Sequence, residues 1–349
     1  MIFTGDIAQP FVGASSFTIP EELQSKVWVG NLEGSLIYDK KEGVGGVYND
    51  VEAIDELIKQ IPFKAFGIAN NHLLDAADVK ATIDNLEKLN VGVVGGGCDL
   101  QEAAKPMMLT DVDGITYRIL AFGWENIQCI PATKSKQGVN PYTKGNVLRC
   151  VESALRNNEP IVCFFHWNYE LEAYPQPYDR QLAMELIDMG VCAVIGCHAH
   201  RTQPVEFYKG RPIVYGLGNL LFCQGHYFGG KLCFPRFCEE EYAFELTKDR
   251  CRLHKFHYNQ QENRLNYVKS IEVVECGEFE GKAVFSGYSE RQYEKFFKEN
   301  RVQRKLLPIF HAKESTFSYA IKSKWIIMRG GLINLLTKVN LKSANRADR

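Results

Sequence analysis

Along the first two thirds of the chain, short apolar runs alternate with amphipathic stretches. Apolar runs at Met1 to Thr4, Lys26 to Val29, Phe63 to Ile68, Val91 to Val94, Tyr117 to Phe122, Ile161 to Phe165 and Cys192 to Ile195 read as strands. Between them, helical spacing places Val51, Ile54, Leu57, Ile58 and Ile61 on one face, and Val79, Ile83, Leu86 and Leu89 on another. Further helices are predicted over Asn146 to Arg156 and Tyr178 to Met189. Repeated strand and helix order argues for an α/β sheet with helices over its faces. A hairpin is expected for Pro204 to Tyr208 and Pro212 to Tyr215 around Lys209-Gly210-Arg211, and residues 240 to 276 read as further antiparallel strand. From about residue 289 the pattern turns helical, which divides the chain into residues 1–285 and a helical extension, 286–349.

The extension changes the charge picture. The whole chain of 349 residues carries a formal charge of −1, which argues against nucleic-acid binding by bulk charge. Residues 315 to 347, however, hold Lys322, Lys324, Arg329, Lys338, Lys342 and Arg346 with no acidic residue. Trp325, Met328, Leu332, Leu335 and Val339 recur every three or four positions, so a basic amphipathic helix is expected. It either packs on its own domain or meets a membrane surface or partner. The opening MIFTGDIAQPF has neither a basic n-region nor an apolar h-region, so a cytoplasmic location is expected, peripheral to a membrane if the tail binds one. The 11 cysteines form no C-x-x-C pair and fall in apparent strands, as expected of reduced, buried thiols.

Five polar clusters fall just after the apolar runs: Asp6; Asn31 with Glu33; Asn70-Asn71-His72 with Asp75; His166 with Glu170; and His198 with His200. Ligands bind at the carboxyl ends of strands in open α/β sheets, so these clusters are expected to converge. Carboxylate, carboxamide and imidazole together suit Mn, Fe, Zn or Mg. His-x-His at a strand end sends both imidazoles to the same side by the two-residue period of a strand. Singly, each cluster has a structural use: Asp6 as a turn residue, Asn70-Asn71 as an Asx turn or cap, His166 as a core histidine. Cys197 beside two histidines offers a Cys–His nucleophile, but that reading leaves the other clusters unexplained. Gly95-Gly96-Gly97 reads as a tight turn, and no P-loop is present.

The ordered set Gly5-Asp6, Asn31-Leu32-Glu33-Gly34, Ala69-Asn70-Asn71-His72 with Asp75, His166-Trp167 with Glu170, Gly196 through His198-Ala199-His200, and Gly216-Leu217-Gly218-Asn219 resembles the CapA-type (poly-γ-glutamate capsule synthesis) family. That family is similar to the calcineurin-like metallophosphoesterases, and the resemblance spans roughly residues 1 to 225. It implies a four-layer αββα sandwich and one or two divalent metal ions. Asp6 and His200 would bind the first ion, Glu33 would bridge, and Asn71, His166 and His198 would bind the second. His72 would be the catalytic acid with Asp75 orienting it, and Asn31, Asn70 and Glu170 would meet the substrate. The implied substrate is a phosphorylated or anionic small molecule or polymer. The implied reaction is phosphoester hydrolysis; attack on an amide and a non-catalytic role in polymer assembly are the alternatives. Arg180 and Arg201 could contact phosphate. One departure stands out: the superfamily's first motif is Asp-x-His, and here the third position is Ala8.

Overall fold

A computed structural model describes residues 1–38, 46–302 and 306–338, with backbone only at 334–338. Two large sheets carry the fold. The first runs in the order Ser16–Thr18, Arg264–Val273, Cys251–Asn259, Glu240–Leu246, Ile2–Ala8, Trp28–Leu32, Phe63–Gly67, Gly92–Val94, with Asn219–Phe222 also pairing on Ile2–Ala8. The second runs Val205–Tyr208, Arg211–Val214, Ala193–Cys197, Ile161–His166, Thr116–Gly123, Met107–Thr110. In the first sheet Ile2–Ala8, Trp28–Leu32, Phe63–Gly67 and Gly92–Val94 run parallel out to one edge, and in the second sheet the inner four strands are parallel.

The sheets face each other. Phe3 of the first meets Phe164 of the second with ring centroids 6.1 Å apart, and one apolar core spans both. Gly67 permits this approach, since a Cβ there would lie 3.2 Å from the Phe164 ring. Helices Val51–Gln60 and Val79–Lys88 accompany the first sheet, and Lys144–Ala154 and Pro177–Met189 pack on the second, which gives the expected four layers.

Caps set the helix ends. Asp50 accepts from the Ala53 N–H at 3.0 Å and Asp78 from the Ala81 N–H at 2.7 Å, so the second helix starts at Val79, the first residue of its predicted apolar face. Gly190, at φ 113°, ends Pro177–Met189. The predicted hairpin forms between Val205–Tyr208 and Arg211–Val214, turning on Lys209 and Gly210 with positive φ at both. Residues 240 to 276 extend the first sheet as three antiparallel strands.

The extension is helical as expected, over Glu290–Asn300 and Thr316–Lys338, and Tyr293, Phe297, Phe310 and Ile326 join the main core. Val339, Lys342 and Arg346 lie outside the described residues. All 11 cysteines are free; Cys98 and Cys276 are exposed and Cys233 is half-buried, while the others are buried. No helix among the described residues is long and apolar enough to cross a membrane.

Candidate metal centre

The sheet registers align the polar residues. Asp6 lies opposite Asn31 on one neighbour and opposite Asn219 on the other, at a bulge between Asp6 and Ile7. In the second sheet His166 pairs with Cys197, one residue before His198. The predicted strand ends therefore meet at one edge of the sandwich. Asp6 itself sits inside the strand, which runs on to Ala8 because Asn219–Phe222 pairs with that extension.

Two groups of donors form. In the first, Asp6, Glu33 and His200 each offer a ligand atom, all within 4.8 Å of one another. His200 Nδ1 lies 3.2 Å from Asp6 Oδ2, and His200 Nε2 lies 3.8 Å from Glu33 Oε1. In the second, His166 Nε2 lies 2.8 Å from Asn71 Oδ1 and 3.1 Å from His198 Nδ1. Asp6, His166 and Cys197 also lie within metal-ligand reach of one another. There, however, Asn31 Nδ2 donates to Asp6 Oδ1 at 2.8 Å and lies 3.4 Å from His166 Nδ1, so an amide already occupies the space a cation would need.

The paired direction of His198 and His200 has a different origin from the one predicted. The strand ends at Cys197, and both histidines lie beyond it with left-handed backbone, φ 91° and 53°. Turn geometry, not strand alternation, brings their rings to 5.6 Å. Such non-glycine conformations are costly and persist where surroundings over-determine them. Here His198 N–H donates to Asp6 Oδ2, and the His200 ring stacks on Phe234 at 4.3 Å.

Glu33 is the electrostatic anomaly. It is fully buried, and neither carboxylate oxygen has a hydrogen-bond partner among the described residues. Burial, reinforced by the Asp6 carboxylate, pushes its pKa well above the usual range. Burial also opposes ionisation of Asp6, but its hydrogen bond and charge interaction with His200 prevail and hold its pKa low. Burial likewise opposes protonation of His200, yet the Glu33 and Asp6 carboxylates hold its pKa up at about 10. Burial drives His166 down to about 3, leaving a neutral imidazole able to offer a lone pair. A buried carboxylate beside a second carboxylate, with no hydrogen-bond partner among the described residues, fits a cation, since a divalent ion would supply that partner.

His72 stands beside this group. Its Nε2 lies 3.6 Å from Glu33 Oε1, and its Nδ1 lies 2.6 Å from Asp75 Oδ2. The turn needed for the i, i+3 pair is present, with Asp75 N–H donating to His72 O at 3.1 Å. Glu170 is half-buried and near enough for its charge to act on Glu33 and His200.

Asn31 and Asn70, expected to meet substrate, are engaged within the protein. Asn31 bridges Asp6 and His166, as described. Asn70 Oδ1 accepts from Gly34 N–H at 3.1 Å and His72 N–H at 3.2 Å, while its Nδ2 donates to Leu32 O at 2.8 Å. It pins the two loops that carry Glu33 and His72. Arg180 is likewise taken, forming a bidentate pair with Glu206 at 2.9 and 2.6 Å. Arg201 lies over the Phe237 ring at 4.6 Å, and its buried Nε has no partner among the described residues.

Asn219 was absent from the predicted site, although Gly216-Leu217-Gly218-Asn219 is one of the motifs that carry the resemblance; it opens a strand, whereas the predicted clusters follow apolar runs. Its Oδ1 lies 2.9 Å from His200 Nδ1, and its N–H donates to the buried Glu241 carboxylate at 2.5 Å. Gly5 makes room for this strand, since a Cβ there would fall 1.8 Å from Gly218 O. Ala8 is buried in a small apolar cluster with Phe222, Phe234 and Tyr227, so no imidazole arises at that position.

With this geometry in place, residues 16–224 match the family of the bacterial capsule synthesis protein PGA_cap. The chain belongs to that family. The match takes in Glu33, Asn71, His72, Asp75, His166, Glu170, His198, His200 and Asn219, and Asp6 lies just before it. Among PGA_cap relatives, the PGA biosynthesis protein CapA of Bacillus subtilis is 30% identical over 202 residues, covering 56% of this chain and 53% of that protein. The capsule biosynthesis protein CapA of Bacillus anthracis is 27% identical over 207 residues, covering 56% and 50%. This PGA_cap chain thus matches about half the length of these curated relatives. Two solved structures align with the chain at low identity and low TM-score. A putative 5'-nucleotidase from Staphylococcus aureus has 11% identity and a TM-score of 0.41, over 85% of this chain and 58% of that one. The calcineurin-like phosphoesterase YfkN from Bacillus subtilis has 11% identity and a TM-score of 0.37, over 86% and 84%.

Proposed function

We propose that this chain is a metal-dependent hydrolase that cleaves a phosphate mono- or diester in the biosynthesis of a capsule or other anionic cell-surface polymer. Glu33 carries the reading: a buried carboxylate without a hydrogen-bond partner among the described residues, set beside Asp6, His200 and His72. Asp6, Glu33 and His200 would hold one divalent ion, and Asn71, His166 and His198 a second, with Mn, Fe, Zn or Mg suited to these donors. When bound, such ions supply Lewis acidity toward a phosphoryl oxygen and lower the pKa of water into the neutral range.

The chain's own residues supply the rest. Asp75 accepts the Nδ1 proton of His72 and leaves Nε2 facing the centre, where the ring in its imidazolium form would give its Nε2 proton to a departing oxygen and be left neutral with Nδ1–H on Asp75. Arg201, held on Phe237, offers a cation to an anionic substrate. Asn31 and Asn70 fix the ligands and the His72 loop.

Ala8 and its apolar surroundings favour a second reading, a non-catalytic metal-binding component of polymer assembly, because a first ion would find fewer ligands here than the Asp-x-His pattern would offer. Metal content by mass spectrometry, paired with turnover of an aryl phosphodiester with added Mn, separates the two. About two metals per chain, with turnover lost in His72→Ala while the metal stays bound, is the expected result. One metal or none, with no turnover of mono- or diesters, would move the assignment to assembly.

A further inference from the structure

The helix Thr316–Lys338 has two apolar faces, and the protein covers one of them. Toward the domain, Ile326 is 9% exposed, Tyr319 accepts the Trp124 Nε1 hydrogen bond at 2.7 Å, and Lys322 donates to Ile309 O at 2.8 Å. On the other side Phe317 is 77% exposed, Ile321 53%, Trp325 40%, Met328 62% and Leu332 56%. At about 100° per residue these five side chains fall within about 80° of arc, on the side opposite Ile326. They form one stripe along the helix, not scattered surface residues. Leu306, also exposed, receives the Trp325 indole N–H on its carbonyl at 2.8 Å and so lies beside the stripe.

We propose that this stripe seats the protein on an anionic lipid surface, with the helix lying in the plane of the interface. Three observations select that occupant. The helix carries Lys322, Lys324, Arg329 and Lys338 and no acidic residue; Lys322 pairs with Glu314 on the domain side, while the exposed Lys324 puts positive charge beside the stripe that complements anionic headgroups. Lys324 is exposed at one edge of the stripe, where headgroups would lie when the apolar side chains enter the acyl boundary, and the half-buried Arg329 follows at the other edge. A second copy of the chain would bring one basic helix against another, so charge opposes self-pairing. The helix is not apolar enough to span a bilayer, and an exposed Trp and Phe suit the interface. This inference does not depend on the chemistry at the metal centre.

The test uses the full chain in vesicle flotation, comparing phosphatidylglycerol mixed in equal parts with phosphatidylcholine against phosphatidylcholine alone. Trp28, Trp124 and Trp167 are buried, so Trp325 reports contact through a blue shift and through quenching by brominated acyl chains. Expected is flotation with the mixed vesicles only, weakened roughly tenfold or more by Phe317→Glu or Met328→Glu and less strongly by Lys324→Glu. These positions are exposed, so an unchanged circular-dichroism melt verifies that each variant folds. Three results would overturn the proposal: no flotation with either vesicle, flotation unaffected by both apolar replacements, or equal binding to neutral vesicles. A lipid-free dimer that Met328→Glu converts to a monomer, without vesicle binding, would give the stripe to self-association instead.

Discussion

His72 Nδ1 and Asp75 Oδ2 lie 2.6 Å apart, and the same Asp75 oxygen accepts the Val47 N–H at 2.9 Å. The carboxylate is therefore anchored to the backbone before it orients the imidazole. Gly46 is required for this, since a Cβ there would fall 2.3 Å from that oxygen. Asp75→Asn is expected to lower kcat at least about tenfold with metal content unchanged, and His72→Ala about 10²- to 10⁴-fold. Steady-state turnover of an aryl phosphodiester alongside metal analysis checks both; loss of metal in either variant would reassign the pair to a structural role.

Glu33 gives a prediction that needs no turnover. Its partnerless carboxylate disfavours the metal-free fold, and a bound cation should reverse that. Chelation is expected to lower the Tm of the native protein, and Mn to restore it. Glu33→Gln should raise the Tm of the chelated protein by about 2–4 °C or more while abolishing the response to Mn. Differential scanning calorimetry with and without chelator decides the point, and an Mn response that survives the substitution would exclude Glu33 as a ligand.

Asn219 positions His200. Its carboxamide oxygen lies 2.9 Å from Nδ1, and its backbone is fixed by Glu241. Asn219→Ala is expected to weaken metal binding by about 10- to 100-fold, as loss of an orienting partner does elsewhere. Titration with Mn by isothermal calorimetry measures it; wild-type affinity in the variant would remove Asn219 from the site.

Asp179 predicts a pH dependence of stability away from the metal centre. Burial outweighs the hydrogen bonds from Tyr142 and the Gln176 backbone and pushes its pKa up to about 7, against about 3.9 in the unfolded chain. The folded state therefore holds a proton that the unfolded state releases. This stabilisation is complete below about pH 4 and is lost as pH rises through 7. Asp179→Asn retains an oxygen to accept the Tyr142 hydroxyl and should leave the protein more stable than wild type at pH 8.5, by up to about 4 kcal/mol, with no gain at pH 4. Urea denaturation at both pH values checks the sign.

How much of this was written in the chain can be judged from particular residues. Alternating apolar runs and helical faces set the parallel strands of both sheets, because burial against a sheet on one side and a helix on the other demands that periodicity. Asp6, Glu33, Asn71, His72, His166, His198 and His200 were legible because each follows an apolar run, and strand ends in an α/β fold lie at a common edge. Sequence spacing could not show that His198 and His200 point together through left-handed backbone, because φ is fixed by what the loop packs against. Nor could it show which groups Asn31 and Asn70 hydrogen-bond within the protein, or that Arg180 pairs with Glu206, because hydrogen-bond partners far apart in sequence are chosen only when the sheets come together. The tail makes the same distinction on a larger scale. Its composition determined a basic helix rich in apolar residues, while only packing decided that Ile326 turns inward and that Phe317, Trp325 and Met328 remain in solvent, since one domain surface can cover one face of a helix.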